Sequence, residues 1–377
     1  MIHKGGDPHL ASWWLKIIKF SPLHIFWAGH EAVLFFFVLS GFVLSLPYLG
    51  AREAVPYWLY LTKRILRIYP PYFVAVCCAL VLRESCYDGY VPGCSVWFNE
   101  FWKTSANWKN VQDHLLLIGS FDSSAFNPVL WSLVHEMRVS IFFPVLIWLV
   151  RDREKTAVGA ILGFDILSHL FVRLKNSGML SNENDYDLTL HYAGIFIIGC
   201  FLAKYRGSIV RGISGLGRRS KLLILVIALL LYANQFWLPY YAGFGIKHLV
   251  GLFRRTEFQE WITTAGVVAI ISLSLGTRTV SSFLSWRVVS FLGRISYSLY
   301  LFHAICLIAL VHLMHSFLPL WCIEIVALGT SLLVSTLSYD FVENPSIRLG
   351  RYLTRRRVEA KAAKASPQER VMKEDEV

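Results

Sequence analysis

Charge is what this chain has least of. Asp, Glu, Lys and Arg occupy 16% of its 377 positions against 55% for hydrophobic residues, whereas soluble domains carry about 25% charge. That excludes an ordinary soluble enzyme with one large core. No C-x-x-C pair with matching histidines occurs, so no metal site is expected. The opening stretch MIHKGGDPHLASWWLKIIKF lacks an unbroken apolar run and a small-residue cleavage site, so it does not read as a signal peptide. No repeat relates the two halves of the chain, which argues against a secondary transporter or a flippase for a lipid-linked sugar.

Aromatic and aliphatic runs are abundant instead: 13 Trp, 17 Tyr and 26 Phe accompany long apolar stretches. Nine segments can cross a bilayer, at about 32–49, 66–82, 133–150, 157–172, 189–204, 222–239, 262–276, 294–313 and 318–338. Several fall short of the roughly 20 apolar residues an untilted span needs, so their ends should extend into flanking aromatics. The expected fold class is all-α, a polytopic membrane helix bundle of about nine transmembrane helices.

The formal charge of +12 is not spread evenly. Lys and Arg gather in short clusters between apolar runs and in the tail RLGRYLTRRR, a pattern that orients membrane proteins and does not suit nucleic acid. A cytoplasmic C-terminus then places Arg52, Lys63, Arg64 and Arg67, Arg151 to Lys155, Lys204 to Lys221, and Arg278 to Arg294 on the cytoplasmic side. Lys103, Lys109, Arg254 and Arg255 run against the rule. With nine spans, residues 1–31 become an extracytoplasmic or interfacial segment, 32–345 the membrane domain, and 346–377 a basic, then mixed-charge cytoplasmic tail, disordered at its end. The expected location is a plasma or inner membrane, with lipids as the surrounding partner. Five of seven cysteines lie in or beside spans and read as small buried hydrophobes. Cys86 and Cys94 flank a short loop on the predicted oxidising side, where a disulfide or two free thiols are both open.

Ionisable groups within spans are the functional candidates, because hydrocarbon makes each one costly. In KRILRIYPPY, Lys63, Arg64 and Arg67 form a basic face at a cytoplasmic helix end, and Pro70 and Pro71 should break the next turn. Such a face suits a phosphate-rich ligand or, equally, a membrane anchor. In NPVLWSLVHEMRVS, Ser132 and Glu136 share a helix face, and Glu136 and Arg138 cannot reach one another, so each needs a partner elsewhere. In GRISYSLYLFHAI, Ser296, Tyr300 and His303 form a polar stripe, with His303 roughly 13 Å along the helix from Arg294. Asp165 and His169, four residues apart, read as a self-satisfied structural pair. His30 and Glu31 precede the first span in WAGHEAVLFFFVLSGF and read as its outer cap, a catalytic His30 being the alternative.

Five stretches in order, LFFFVLSGFVLS, KRILRIYPPY, WSLVHEMRVSIFFP, ISYSLYLFH and DFVENPS, resemble the acyltransferase 3 family of integral membrane O-acyltransferases across about four fifths of the chain. The resemblance implies a bundle of about ten helices and transfer of an acyl group, most often acetyl, from cytosolic acyl-coenzyme A to a hydroxyl of an extracytoplasmic glycan, lipid-linked sugar or similar acceptor. It assigns Arg64 and Arg67, with Lys63 beside them, to donor binding, and Ser40, Gly41, Trp131, Ser132, Ser296, Tyr297, Glu343 and Pro345 to motif positions. Glu136, Tyr300 and His303 become candidate catalytic or site-lining groups, with a histidine as general base or transient acyl carrier. The family's usual first span, carrying a basic residue and a histidine ten intervening residues later, has no counterpart. Lys19 and His30 match that spacing, but Pro22 and His24 interrupt the interval. A family member that has lost catalysis and serves as a membrane scaffold is therefore the other expectation.

Overall fold

A computed structural model describes residues 21–50, 56–119, 121–180, 185–235, 237–238 and 256–364, with side chains described up to 355. Residues 1–20, including Lys19, most of the 240–261 loop and the tail beyond 364 lie outside it.

Apolar composition and the scarcity of internal breakers dictate long helices. They are α1 (Gly29–Gly50), α2 (Tyr57–Cys86), the short α3 (Val96–Asn99) and α4 (Trp108–Leu116), then α5 (Leu130–Asp152), α6 (Glu154–Asn176) and α7 (Tyr186–Lys204). There follow α8 (Arg206–Gly215), α9 (Arg218–Tyr232), α10 (Thr256–Gly276), α11 (Arg278–Leu284), α12 (Arg287–Met314), α13 (Leu320–Ser338) and α14 (Asn344–Lys364). No strand occurs among the described residues. Eight helical stretches are long and apolar enough to span a membrane: α1, α2, α5, α6, α7, α10, α12 and the α13–α14 rod. The ninth expected span, 222–239, corresponds to α9. Its 15 residues rise about 22 Å, short of a bilayer's roughly 30 Å hydrocarbon core, and residues beyond 238 lie outside the description.

The expected break at Pro70 and Pro71 does not occur: α2 runs through both. Neighbouring helices can sustain a proline-containing span, and Tyr297 of α12 donates to Ile68 O at 2.8 Å beside this point.

Two apolar cores fill the bundle. One joins α2, α12 and the connection between α2 and α5; the other joins α1, α6, α7 and α10. Helix α5 serves both, with Leu130, Leu133 and Met137 in the first core and Val139, Phe143 and Leu146 in the second. Tyr300 packs against each core, so it stands at their seam. α1 and α7 cross at Gly41 and Gly199. A methyl group at Gly41 would collide with Phe196 O and one at Gly199 with Val38 O, so this contact admits only glycine.

The 83–132 loop is folded. Trp102 is fully buried and donates from Nε1 to Phe126 O at 2.8 Å, while Arg83 donates to Trp102 O and Thr104 O at 3.2 and 2.7 Å. Asn99 ties Val91 and Ser95 together. Of the two readings open for Cys86 and Cys94, the structure has separate free thiols, and these polar ties hold the loop together.

Candidate functional site

Arg64 of α2 departs from the expected basic face. Its side chain turns into the bundle, pairs through Nη2 with Glu136 of α5, and donates from Nε to Ser140 Oγ at 3.0 Å. Both partners are buried, at 7% and 1% side-chain exposure. Lys63 and Arg67 alone remain on the exposed side. The physical reason is helical geometry: adjacent residues are about 100° apart, so Lys63 and Arg64 cannot share a face. Ser40 of α1 sits beside the same carboxylate, and Glu136 Oε2 is buried without a hydrogen-bond partner. Glu136 thus has the partner from another helix that its sequence position required.

One turn from Glu136, Ser132 Oγ lies 2.6 Å from Tyr300 Oη, which donates to Val129 O at 2.9 Å. These hydroxyls edge a cavity of about 170 Å³ between α1, α5 and α12, lined by Ala32, Val33, Ser132, Ser296, Tyr297 and Tyr300. Its wall is mostly carbon. The polar stripe of α12 divides here: Tyr297 and Tyr300 reach other helices, whereas Ser296 bonds only to Gly293 O. His303 Nδ1 lies 2.8 Å from Tyr300 O and 3.1 Å from Leu299 O, in its own helix, the arrangement of a packing histidine.

His30 at the head of α1 does more than cap. Its ring stacks on Trp131 at 5.7 Å and 15°, and its Nε2 lies 2.6 Å from Glu260 Oε1 of α10. Glu260 Oε2 is 2.8 Å from His191 Nε2. The other nitrogen of His191 is 3.0 Å from Asp165 Oδ1, which also accepts from Trp261 Nε1 at 3.2 Å. Asp165 is therefore not closed on His169, which stands 3.8 Å away; the i, i+4 spacing concealed a closer partner on α7. Glu31 turns aside from this group to His24, at 2.9 Å.

Three remaining groups are structural. Arg138 donates to Ile118 O and Gly119 O, both at 2.9 Å, and to Asp185 Oδ1 at 2.7 Å, while its guanidinium lies 4.4 Å from the Tyr186 ring centroid; it ties the α2–α5 connection to the start of α7. His135 Nδ1 meets Thr189 Oγ1 at 2.8 Å. Glu343, in the π-helical turn Tyr339–Glu343 between α13 and α14, accepts from Ser298 Oγ at 2.7 Å, with Pro345 just beyond in the first turn of α14.

Sequence reasoning missed Glu260 and His191. Glu260, in TEFQEWIT, reads as a polar span end, and His191 sits near a helix start with no local partner. Only an interhelical pairing reveals them.

A family profile described as an acyltransferase domain matches residues 4–340. Acyltransferase MdmB of Streptomyces mycarofaciens is 32% identical over 134 residues, covering 34% of this chain and 31% of that protein. The match thus spans about a third of this curated relative. No solved structure matches.

Proposed function

This chain belongs to the acyltransferase 3 family, and from that premise we propose that it transfers a short acyl group, acetyl foremost, from cytosolic acyl-coenzyme A to a hydroxyl of an extracytoplasmic glycan or lipid-linked sugar. The observation that carries this reading is the cavity at the seam of the two cores. Its lining comes from α1, α5 and α12, and in this reading the exposed cations of α2 receive the donor and the His30 end of α1 the acceptor.

The chemistry then divides by residue. Lys63 and Arg67, exposed at the start of α2, attract the donor's phosphates as point charge and planar fork. Arg64 and Glu136 neutralise one another and fix the inner wall. Tyr300 and Ser132 place hydroxyls at the cavity that are now bonded to Val129 O and to one another; turning from these partners, they would donate to the thioester oxygen as it gains negative charge during attack. His30 is the general base in this reading, since it is 31% exposed, stands three residues before the cavity-lining Val33 and stacks on Trp131, the neighbour of Ser132. The direction of transfer assumes the cytoplasmic C-terminus inferred from the basic loops.

Membranes containing the chain, given radiolabelled acetyl-coenzyme A and mixed glycan and polyprenol-linked acceptors, should form alkali-labile acetyl esters and release free coenzyme A. Absence of transfer with every short acyl-coenzyme A would end this reading.

A further inference from the structure

Four ionisable side chains from four helices form a continuous chain, His30 on α1, Glu260 on α10, His191 on α7 and Asp165 on α6, whose first member stands three residues before the cavity-lining Val33. The contacts are 2.6, 2.8 and 3.0 Å in that order. Exposure falls sharply behind the first member, from 31% for His30 to 3% for Glu260 and 1% for His191. Asp165 is 28% exposed, so the buried negative charge is that of Glu260, which costs folding energy that an apolar residue would not. From this geometry we propose that Glu260 is a positioning residue for the acyl transfer, holding His30 as proton acceptor, with His191 and Asp165 holding Glu260 in turn.

The inference rests on the function proposed above and adds to it the residues that make His30 a base. The carboxylate of Glu260 accepts from His30 Nε2–H, which fixes the tautomer and leaves the Nδ1 lone pair free. Stacking on Trp131 fixes the ring plane. His191 donates from Nδ1 to Asp165 Oδ1 at 3.0 Å, and its Nε2 edge stands 2.8 Å from Glu260 Oε2, a charge contact that restrains the second carboxylate oxygen without hydrogen-bond geometry. This is the orientation role a buried carboxylate plays behind a catalytic imidazole.

In the step itself, Nδ1 takes the acceptor's hydroxyl proton as the oxygen attacks the thioester carbonyl. The new C–O bond forms and the C–S bond breaks. The departing thiolate receives the proton from His30, so products are the acyl ester and free coenzyme A, with His30 and Glu260 unchanged. The Glu260 carboxylate, 2.6 Å from His30 Nε2, balances the positive ring while His30 holds the proton.

The test measures labelled acetyl transfer in membranes with the full chain and with His30→Gln, Glu260→Gln, Glu260→Asp and the His30→Gln/Glu260→Gln pair. His30→Gln should lower kcat by about 100-fold or more, the usual size of a lost general base. Glu260→Gln should lower kcat by roughly 10- to 100-fold with KM for acetyl-coenzyme A unchanged, and Glu260→Asp should recover much of the loss. The pair should be no slower than His30→Gln alone, since Glu260 acts only through His30. A second readout guards against misfolding. Added imidazole should restore turnover to His30→Gly and should fail to do so in His30→Gly/Glu260→Gln. Normal kcat in Glu260→Gln, or a double variant slower by the product of the single effects, overturns the positioning role while leaving acyl transfer standing. A wild-type chain that transfers nothing removes both.

Discussion

Separating Arg64 from Glu136 provides the sharpest energetic prediction. Arg64 is 7% and Glu136 1% exposed, and Ser140 adds one further bond to the guanidinium. Removing one member of such a buried pair strands the other charge away from water, at a cost of about 3–5 kcal/mol. At about 2 °C per kcal/mol for a large domain, Arg64→Met or Glu136→Leu should each lower the unfolding midpoint on the order of 5–10 °C. The double variant Arg64→Met/Glu136→Leu leaves no charge unpaired, so it should recover most of the loss. Thermal unfolding of the detergent-solubilised protein, followed by fluorescence-detected size exclusion, reads all four midpoints. Acyl transfer in the same preparations should stay low in all three variants, because the cavity's inner wall is altered in each. Single variants as stable as wild type, or a double variant with the sum of both losses, would refute the pairing argument.

Gly199→Ala should destabilise by about 1–3 kcal/mol or more, as an added methyl meets Val38 O and must spread α1 from α7; the same unfolding measurement reads it, and an unchanged midpoint contradicts the glycine crossing. Lys63→Ala and Arg67→Ala should each raise KM for acyl-coenzyme A several-fold, with a weaker salt dependence of donor binding and little change in stability, because both side chains are exposed. Equal KM values would remove these residues from the donor site. His114, buried on α4 with Nδ1 at 2.7 Å from Asn110 O and packed against Phe121 and Phe126, has its pKa lowered by burial. Protonation therefore favours the unfolded form. Stability from this residue is complete above about pH 6.5 and lost as pH falls through the lower folded value. Limited proteolysis within 87–127 should accelerate from pH 7.5 to pH 5, and His114→Leu should flatten that dependence.

Much of the architecture was legible because a membrane span writes its signature into a single continuous stretch. Eight of the nine expected segments, all but 222–239, correspond to helices long and apolar enough to span and differ mainly at their ends; 222–239 falls on the shorter α9. Their polar residues were harder to interpret. The sequence correctly required separate partners for Glu136 and Arg138, since residues two apart point away from one another, but it could not say which helix supplies them. Arg64 was grouped with Lys63 and Arg67 by charge, and helical rotation separates it. Asp165 was assigned to His169 by spacing, and the shorter contact comes from His191, 26 residues away. His30 shows the same limit most clearly: its neighbours in sequence suggest a cap, while its neighbours in space are Trp131 and Glu260. Pairings between helices depend on packing at glycine crossings and at the α5 seam, which no local period encodes.

The central claim is movement of an acyl group across the bundle, and sidedness tests it most directly. Sealed vesicles carrying the chain should be prepared in both orientations, with labelled acetyl-coenzyme A added to one compartment and the acceptor confined to the other. The account predicts acetylated acceptor only when the donor meets the Lys63 and Arg67 face and the acceptor the His30 face. Equal labelling in both orientations, or labelling only when donor and acceptor share a compartment, would contradict it.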